Sequence, residues 1–259
     1  QRLRLAVVHP DRGAGFRGGV TLANPEIQWA DVEPGTVVMG SDDRSVLFGG
    51  MGPRHEVSIG YAFRISTRPV EHKDAASLVI SSEAEVASES EWELANSQGM
   101  ISAEDDAIEE LADSAQNYWG KVCDGRPHIN QSSSPKILRK WATGGPTPSI
   151  SFPGQGAEPY GVRLVMRDSP EWSKDPPRIP TKKDNSRIVA EEAAISLLVG
   201  VIPSFVWAYF NASNGYIRDG WLNLVFGGIF VGVLTMVFWR PRQPTWRIES
   251  GRMSARRGK

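Results

Sequence analysis

Two long stretches without a charged residue constrain this chain more than any other feature of its sequence. They are residues 193–210 (AAISLLVGVIPSFVWAYF) and 221–239 (WLNLVFGGIFVGVLTMVFW). At 1.5 Å rise per residue each forms a helix of about 27–29 Å, close to the roughly 30 Å thickness of the hydrocarbon core of a bilayer. Neither run has the polar stripe typical of a buried helix in a water-soluble protein, which is the alternative. We therefore predict two membrane spans.

The flanks of the two runs predict an orientation for the hairpin. Aromatic residues typical of the membrane interface stand at the two boundaries: Trp207, Tyr209, Tyr216 and Trp221 at one, Phe238 and Trp239 at the other. Residues 174–187 carry five Lys or Arg, the connection 211–220 carries one, and the tail after the second run carries seven. The positive-inside rule then places both ends of the hairpin in the cytoplasm and the connection outside. We predict an integral membrane protein with a cytoplasmic N-terminal domain and a cytoplasmic tail.

A GxxxG motif, Gly228 and Gly232, lies in the second run. Small residues at this spacing let two helix backbones approach closely in a membrane. The neighbouring helix is either the first span of the same hairpin or the second span of another copy, which would make a homodimer. The lipid bilayer is the first predicted partner in either case.

Composition bounds the rest of the chain. The net charge of -1 over 259 residues gives no electrostatic reason to expect nucleic-acid binding, and the 40% hydrophobic content is that of a globular protein. We divide the chain by its changes in composition. The segments are a loose basic extension (1–24), a folded domain (25–167), a Pro/Lys-rich juxtamembrane linker (168–192), the hairpin (193–239) and a basic tail (240–259).

Within 25–167, short alternating segments separated by Pro/Gly turns predict strands at 37–39, 55–59, 61–65 and 160–166. A helix is predicted over 71–80. Ser88 and Glu91 have capping-box spacing for a second helix, which Gly99 ends. A third helix is predicted from Ser102, because apolar residues at 108, 111, 112, 115 and 119 follow helical spacing.

Four segments in order resemble a known family: EPGTVVMGSDD (33–43), PRHEVSIGYAFRISTRPV (53–70), SESEWELA (88–95) and YGVRLV (160–165). Together they resemble the sulfatase-modifying-factor domain, the fold of formylglycine-generating enzyme. The resemblance implies an irregular α+β fold of the C-type-lectin-like kind, followed in this chain by the two-helix transmembrane hairpin. The matching positions, which the resemblance makes structural, are Met39, Gly40, His55, Glu91, Trp92, Gly161 and Arg163.

The chemistry of that family does not transfer to this sequence. The family's enzymes use copper held by a pair of cysteines, and related sulfoxide synthases use iron on a multi-histidine motif. This chain has one cysteine, Cys123, and four scattered histidines. We predict no catalytic residue, no metal ligands and no cofactor, with copper or calcium as the open alternatives. The leading interpretation is a membrane-anchored, non-catalytic binding or interaction protein; the alternatives are a metal-dependent oxidoreductase of the formylglycine-generating or sulfoxide-synthase type, and an accessory subunit of a membrane complex.

Two clusters are candidates for binding. The turn Asp124-Gly125-Arg126-Pro127-His128 is predicted to bind a ligand through Asp124, Arg126 and His128, or else to be a tight turn in which Arg126 pairs with Asp124. Residues 83–113 contain eleven acidic residues and no Lys or Arg. Those acids are predicted to form either a surface for a protein partner on two helices or simply solvated helix faces.

Overall fold

The computed structural model describes residues 27–42, 51–81, 83–130, 134–151, 161–168, 170, 172–181, 186–238 and 243–256. The predicted extension 1–24 lies outside these residues. Within these described residues, the folded domain has eleven strands and two helices before the membrane-predicted region. In chain order they are β1 (Trp29–Val32), β2 (Gly35–Met39), β3 (His55–Ile59), β4 (Phe63–Ser66), β5 (Val70–Glu71), α1 (His72–Ser81), β6 (Glu85–Val86), α2 (Glu89–Ser97), β7 (Ile108–Ser114), β8 (Lys136–Lys140), β9 (Thr147–Ser151), β10 (Gly161–Val162) and β11 (Leu164–Arg167).

The strands form three sheets, and the fold is α+β as predicted. One sheet has the order β1-β4-β11-β6 and a second the order β5-β10-β7-β8-β9. The third contains β2 and β3, which pair antiparallel with Met39 opposite His55. Most strands are short, and glycines at positive φ form the turn after β2 (Gly40) and the turn between β8 and β9 (Gly145).

Helix α2 packs at the centre of the core. Its capping box is complete: the Ser88 hydroxyl accepts from the Glu91 backbone N–H, and the Glu91 carboxylate accepts from the Ser88 backbone N–H. Trp92 and Leu94 are only 1% and 2% exposed and pack in one cluster with the inward residues of β2, β3, β4 and β11. The prediction that Trp92 is a core residue is confirmed.

The third predicted helix is wrong. Residues 108–114 form β7, which pairs antiparallel with β8 and parallel with β10. Along β7 the buried side chains are Glu109, Leu111 and Asp113, which follow the two-residue period of a strand. The buried acids hid this period, since only the apolar residues were read as facing inward.

The predicted linker and tail also contribute to the domain. Ile179 is fully buried in the core, and its backbone N–H donates to the Lys121 carbonyl at 3.0 Å. After the last helix, β12 (Thr245–Glu249) and β13 (Arg252–Arg256) form a hairpin, and β12 lies parallel to β3 with Trp246 opposite His55. The third sheet therefore has the order β13-β12-β3-β2. Segments on either side of the apolar helices thus belong to one folded unit.

The region between them is helical. It consists of α3 (Ser186–Ile195), a wider π-helical segment (Ser196–Val201), α4 (Ile202–Asn211), α5 (Asn214–Asp219) and α6 (Trp221–Phe238). The helix Val189–Asn211 is long and apolar enough to cross a membrane. The π segment directly precedes Pro203, whose ring and missing N–H disturb the regular helical hydrogen bonds. The Ser204 hydroxyl donates to the Gly200 carbonyl at 3.0 Å, one turn earlier in the helix.

Candidate functional site

The predicted ligand turn separates into two environments. Arg126 pairs with Asp124 through Nε at 2.9 Å and Nη2 at 2.7 Å, both to Oδ2. His128 faces elsewhere: its backbone N–H donates to Asp113 Oδ1 at 2.8 Å, and its Nε2 lies 3.1 Å from the Asn117 carbonyl oxygen. The structure therefore brings Asp124 and Arg126 together but not His128. This geometry matches the alternative in which residues 124–128 form a tight turn and Arg126 pairs with Asp124.

Arg126 is half-exposed, and its side chain stacks on one of a pair of aromatic rings at the surface. Its guanidinium lies 5.2 Å from the ring of Trp172, whose edge meets Tyr61 at 5.3 Å. The hydrogen bonds to Asp124 raise the pKa of Arg126. Because the Asp124 carboxylate already occupies Nε and Nη2, an anion would have to compete with it. Trp172, which the sequence did not single out, holds the Arg126 side chain in place.

Arg163, a motif residue, forms a fully buried ion pair with Glu109. The distances are 2.7 Å from Nε to Oε2 and 2.8 Å from Nη2 to Oε1, and neither side chain is exposed to solvent. Glu109 Oε1 also accepts from the indole N–H groups of Trp92 at 2.9 Å and Trp141 at 2.6 Å. Arg163 donates further to the Ser66 carbonyl at 3.0 Å. This cluster joins α2, β7 and the chain between β10 and β11.

Glu91, the acidic motif residue, ties the capping box to β11. Its Oε1 accepts from the Tyr61 hydroxyl at 2.7 Å and from Arg167 Nε at 2.6 Å, while its Oε2 accepts from the Ser88 N–H at 2.8 Å. Burial and then the Glu91 carboxylate raise the pKa of Tyr61, which keeps the phenol protonated as the donor. Both oxygens of the Glu91 carboxylate thus bond to groups of the protein itself.

Two further buried acids extend this network. Glu89 Oε1 accepts from Tyr118 Oη and from Arg139 Nη2, both at 2.6 Å. Burial raises the pKa of Glu89, and the Arg139 charge opposes that shift. Asp113 accepts from the Glu89 N–H at 2.6 Å and from the buried Lys121 Nζ at 3.2 Å.

These contacts correct both interpretations of the acidic run 83–113. Glu89, Glu91, Glu109 and Asp113 point inward and are at most 1% exposed, so they are neither solvated helix faces nor a partner surface. The exposed acids of the run are Glu83, Glu85, Glu104, Asp105 and Asp106. A partner surface on those five stays a prediction. Residues 109 and 110 lie on opposite faces of strand β7, and calcium as a cofactor stays a prediction.

Of the remaining motif residues, Met39, His55 and Gly161 are buried and Gly40 is exposed, and all four hold structural positions. Met39 packs in the core, and Gly40 has φ +77° with a would-be Cβ only 2.6 Å from the Pro53 carbonyl oxygen. A Cβ on Gly161 would collide with the Val70 carbonyl. His55 Nδ1 lies 2.8 Å from the Pro53 oxygen, as an N–H donor would.

Burial keeps the side chains of His55 and Cys123 in their uncharged forms near neutral pH. Burial, helped by the Lys121 charge, lowers the pKa of His55 to about 3. Burial raises the pKa of Cys123 to about 12, so the thiol stays protonated near neutral pH. Within the described parts of the chain, no three His, Cys, Asp or Glu side chains are grouped so as to hold a metal ion.

The glycines of the GxxxG motif meet the first long helix of the same chain. A Cβ on Gly228 would lie 2.6 Å from Val201 Cα, and one on Gly232 would lie 2.6 Å from Ser196 Cα. A Cβ on Gly200 of the facing helix would collide with the Gly228 carbonyl oxygen. The motif is therefore engaged inside one chain.

A groove of about 330 Å³ opens at the surface beside the start of β7. It is lined by Arg68, Pro69 and residues 103–107. Asp106 holds φ +67° in this wall, and its backbone N–H donates to the Trp141 carbonyl at 3.0 Å. The groove is a feature that the sequence did not predict, because its two walls are 34 or more residues apart along the chain.

Sequence reasoning did not predict that Glu89, Glu109 and Asp113 are buried. Their cations, Lys121, Arg139 and Arg163, are scattered along the sequence. The available signal for Glu109 and Asp113 was the alternation in IEELADS, residues 108–114.

Comparison with known proteins gives no match: no family model, curated protein or solved structure is significantly similar to this chain.

Proposed function

We propose that this protein is a membrane-anchored, non-catalytic interaction protein whose folded domain is held by a two-span helical hairpin. The observation that carries the proposal is the apolar surface of the π-helical segment, α4 and α6. Large side chains there stand exposed on the outside of the helices, among them Leu198, Val206, Trp207, Phe210, Phe226 and Phe230. Of the 18 most apolar consecutive residues in the helix Val189–Asn211, only 11% are buried. Such a surface is unfavourable in water and suits lipid tails.

The two-span arrangement is supported by where the chain goes before and after the hairpin. Residues 172–181 and β12 both pack on the same domain, β12 through its pairing with β3. A chain that leaves one folded domain, crosses a bilayer and returns to the same domain must cross an even number of times. If Val189–Asn211 crosses, α6 must cross back.

A non-catalytic role is supported by the state of the polar groups. The buried carboxylates bond to internal cations, and the one thiol is buried and protonated. A nucleophilic cysteine needs an accessible thiolate. We retain the resemblance to the sulfatase-modifying-factor domain in this proposal, because its motif residues hold the core together. The oxidoreductase and accessory-subunit alternatives stay predictions.

Topology labelling of the full chain tests the proposal. Asn214→Cys places a thiol in the connection, and Arg252→Cys places one in the tip of the C-terminal hairpin; both positions are exposed. Buried Cys123 makes the unaltered protein the unlabelled control. An impermeant maleimide added outside intact cells should label position 214 alone, and position 252 only after lysis. Labelling of position 252 alone would overturn the orientation, and labelling of both or neither in intact cells would overturn the two spans. Release of the protein from membranes by alkaline carbonate would overturn the anchor itself.

A further inference from the structure

Both connections to the hairpin leave from one end of the folded domain. The Gly120 N–H donates to the Pro180 carbonyl at 3.1 Å, just before the chain runs to α3. After α6, the Gln243 N–H donates to the Asp42 carbonyl at 2.9 Å. The Tyr118 N–H donates to the Gly52 carbonyl at 3.0 Å, which joins the loop 116–120 to the turn before β3. We call residues 116–120, 180–181 and 243–246 the base of the domain.

The two connections are too short to let the domain turn over. Four residues separate Thr181 from Ser186, and four separate Phe238 from Gln243. Five peptide steps span at most about 18 Å each. A globular unit of about 150 residues has a radius of gyration near 15 Å and is therefore roughly 38 Å across. Two such tethers at one end hold that end nearest to the helices.

The side chains at the base suit a lipid headgroup layer. Trp119 and Trp246 meet edge to face at 6.3 Å, and both rings are partly exposed. Arg54, whose carbonyl accepts from the Trp246 N–H at 2.9 Å, and Arg178, which forms a β-bridge with Val122, are both exposed. Tryptophan is enriched at the membrane interface, and arginine near the surface is attracted to anionic headgroups.

The groove beside Asp106 lies at the other end of the domain. Strand β7 starts next to the groove at Ile108 and ends at Ser114, just before the base. Seven strand residues extend about 20 Å. Helix α2 spans the same two ends of the domain. Its first residue, Glu89, contacts Asp113 near the base, and Gln98, just after its last residue, bonds to Glu33 away from the base.

We infer that the base rests on the headgroups of an anionic lipid surface, with the Trp119–Trp246 pair at headgroup level and the groove end held away from the membrane. This inference rests on the proposed membrane anchor. It goes beyond it because an anchored domain could equally hang free on its two connections.

Depth-dependent quenching tests the inference. The full chain is reconstituted in nanodiscs of phosphatidylcholine and phosphatidylserine, with a fluorophore on Gln116→Cys at the base. The matched control is Glu104→Cys at the groove end; both positions are exposed. We expect lipids with a nitroxide on the headgroup to quench the label at 116 several-fold more than the label at 104. Arg54→Glu with Arg178→Glu should reduce that difference by removing the attraction to phosphatidylserine.

The outcomes separate the two proposals. Equal, weak quenching at both positions in a protein that resists carbonate extraction would overturn docking of the base and leave the anchor standing. Stronger quenching at 104 than at 116 would overturn the assigned orientation of the domain. A protein that fails to enter the nanodiscs and is extracted by carbonate would overturn the anchor.

Discussion

Glu109 and Glu89 find their arginine partners far along the chain, at separations of 54 and 50 residues. Such pairs form only once the fold brings β7, α2, β8 and the β10–β11 segment together. Moving both charges out of water is costly, and their attraction repays the cost only when the remaining lone pairs are also bonded. Glu109 meets this condition through two indole N–H donors. Residues of this kind specify one arrangement of the core.

We expect Arg163→Met to lower the free energy of unfolding by about 3–5 kcal/mol, because it leaves Glu109 buried and unpaired. The double variant Arg163→Met/Glu109→Gln should recover a large part of the loss. Urea unfolding of the full chain in mild detergent measures both. The control is Arg126→Met, which breaks the surface pair with Asp124 and should cost no more than about 1 kcal/mol. Equal losses for Arg163→Met and Arg126→Met would contradict the buried pair.

His55 gives the domain a dependence on pH. Its native pKa of about 3 lies below the ordinary 6.5, so below pH 6.5 the unfolded chain binds a proton that the native state does not. Stability contributed by neutral His55 is therefore complete above pH 6.5 and falls toward pH 3, by up to about 1.4 kcal/mol per unit. His55→Asn should flatten the plot of unfolding free energy against pH. His72→Asn, on the exposed side of α1, should leave it unchanged; the same slope in all three proteins would refute the assignment.

At the scale of elements, the sequence predicted what local signals determine. The capping box of α2, helix α1 and strands β2, β3 and β4 depend on residues close together in the chain, and each is found within a few residues of its predicted place. Strand β7 was missed because Ile108, Leu111, Ala112 and Ala115 also fit helical spacing. Its true inward face contains Glu109 and Asp113, whose partners no local pattern reveals. A buried acid looks like a surface residue until its cation is known.

The C-terminal hairpin was hidden by its charge. Residues 245–256 contain three arginines and read as part of a basic tail. The signal that could have found the turn is Ser250-Gly251, a two-residue loop in which both residues have positive φ, as a tight antiparallel hairpin requires. Ile248 and Met253 then pack against the core of a domain that starts more than 200 residues earlier. The pairing with β3 could not be predicted from either strand alone.

Truncating Ile248 should show that this hairpin stabilises the domain. Ile248→Ala removes a partly buried side chain from the core, and we expect a loss of about 2 kcal/mol, at the low end for such truncations. Arg247→Ala, its exposed neighbour on the same strand, is the matched control and should change little. Thermal unfolding of the two variants in the same detergent makes the comparison. If they melt together, β12 contributes nothing to the domain.

The close contact of Gly228 with the facing helix predicts that alanine there destabilises the helical hairpin, whereas alanine at Gly227 does not. Gly228→Ala puts a methyl group 2.6 Å from Val201 Cα and should destabilise the hairpin by about 1–3 kcal/mol. Gly227→Ala meets nothing within 4 Å and is the control. Melting temperature and light scattering in mild detergent report packing and molar mass. A wild-type dimer that becomes a monomer in Gly228→Ala would instead support the homodimer.

For the whole molecule, the folded unit is larger than residues 25–167. It includes Ile179 and β12, so activity assays need the full chain. We expect the copper-loaded protein to form no aldehyde on a CxPxR peptide, because Cys123 is buried with a pKa of about 12 and has no second cysteine to share copper. Mass spectrometry of the peptide measures this. Catalytic conversion that disappears in Cys123→Ser would overturn the non-catalytic proposal.

The place of β12 in the chain also sets an order of events during synthesis. The third sheet acquires its last two strands only after α6 has left the ribosome, although β2 and β3 emerged some 180 residues earlier. Until then the edge of β3 and the core residues facing Ile248 have no cover, which is a situation in which chaperones bind nascent chains. With the proposed membrane anchor, insertion of the helices would thus come before completion of the domain. A nascent chain that failed to insert would also fail to close its sheet, so quality control could detect both faults at one surface.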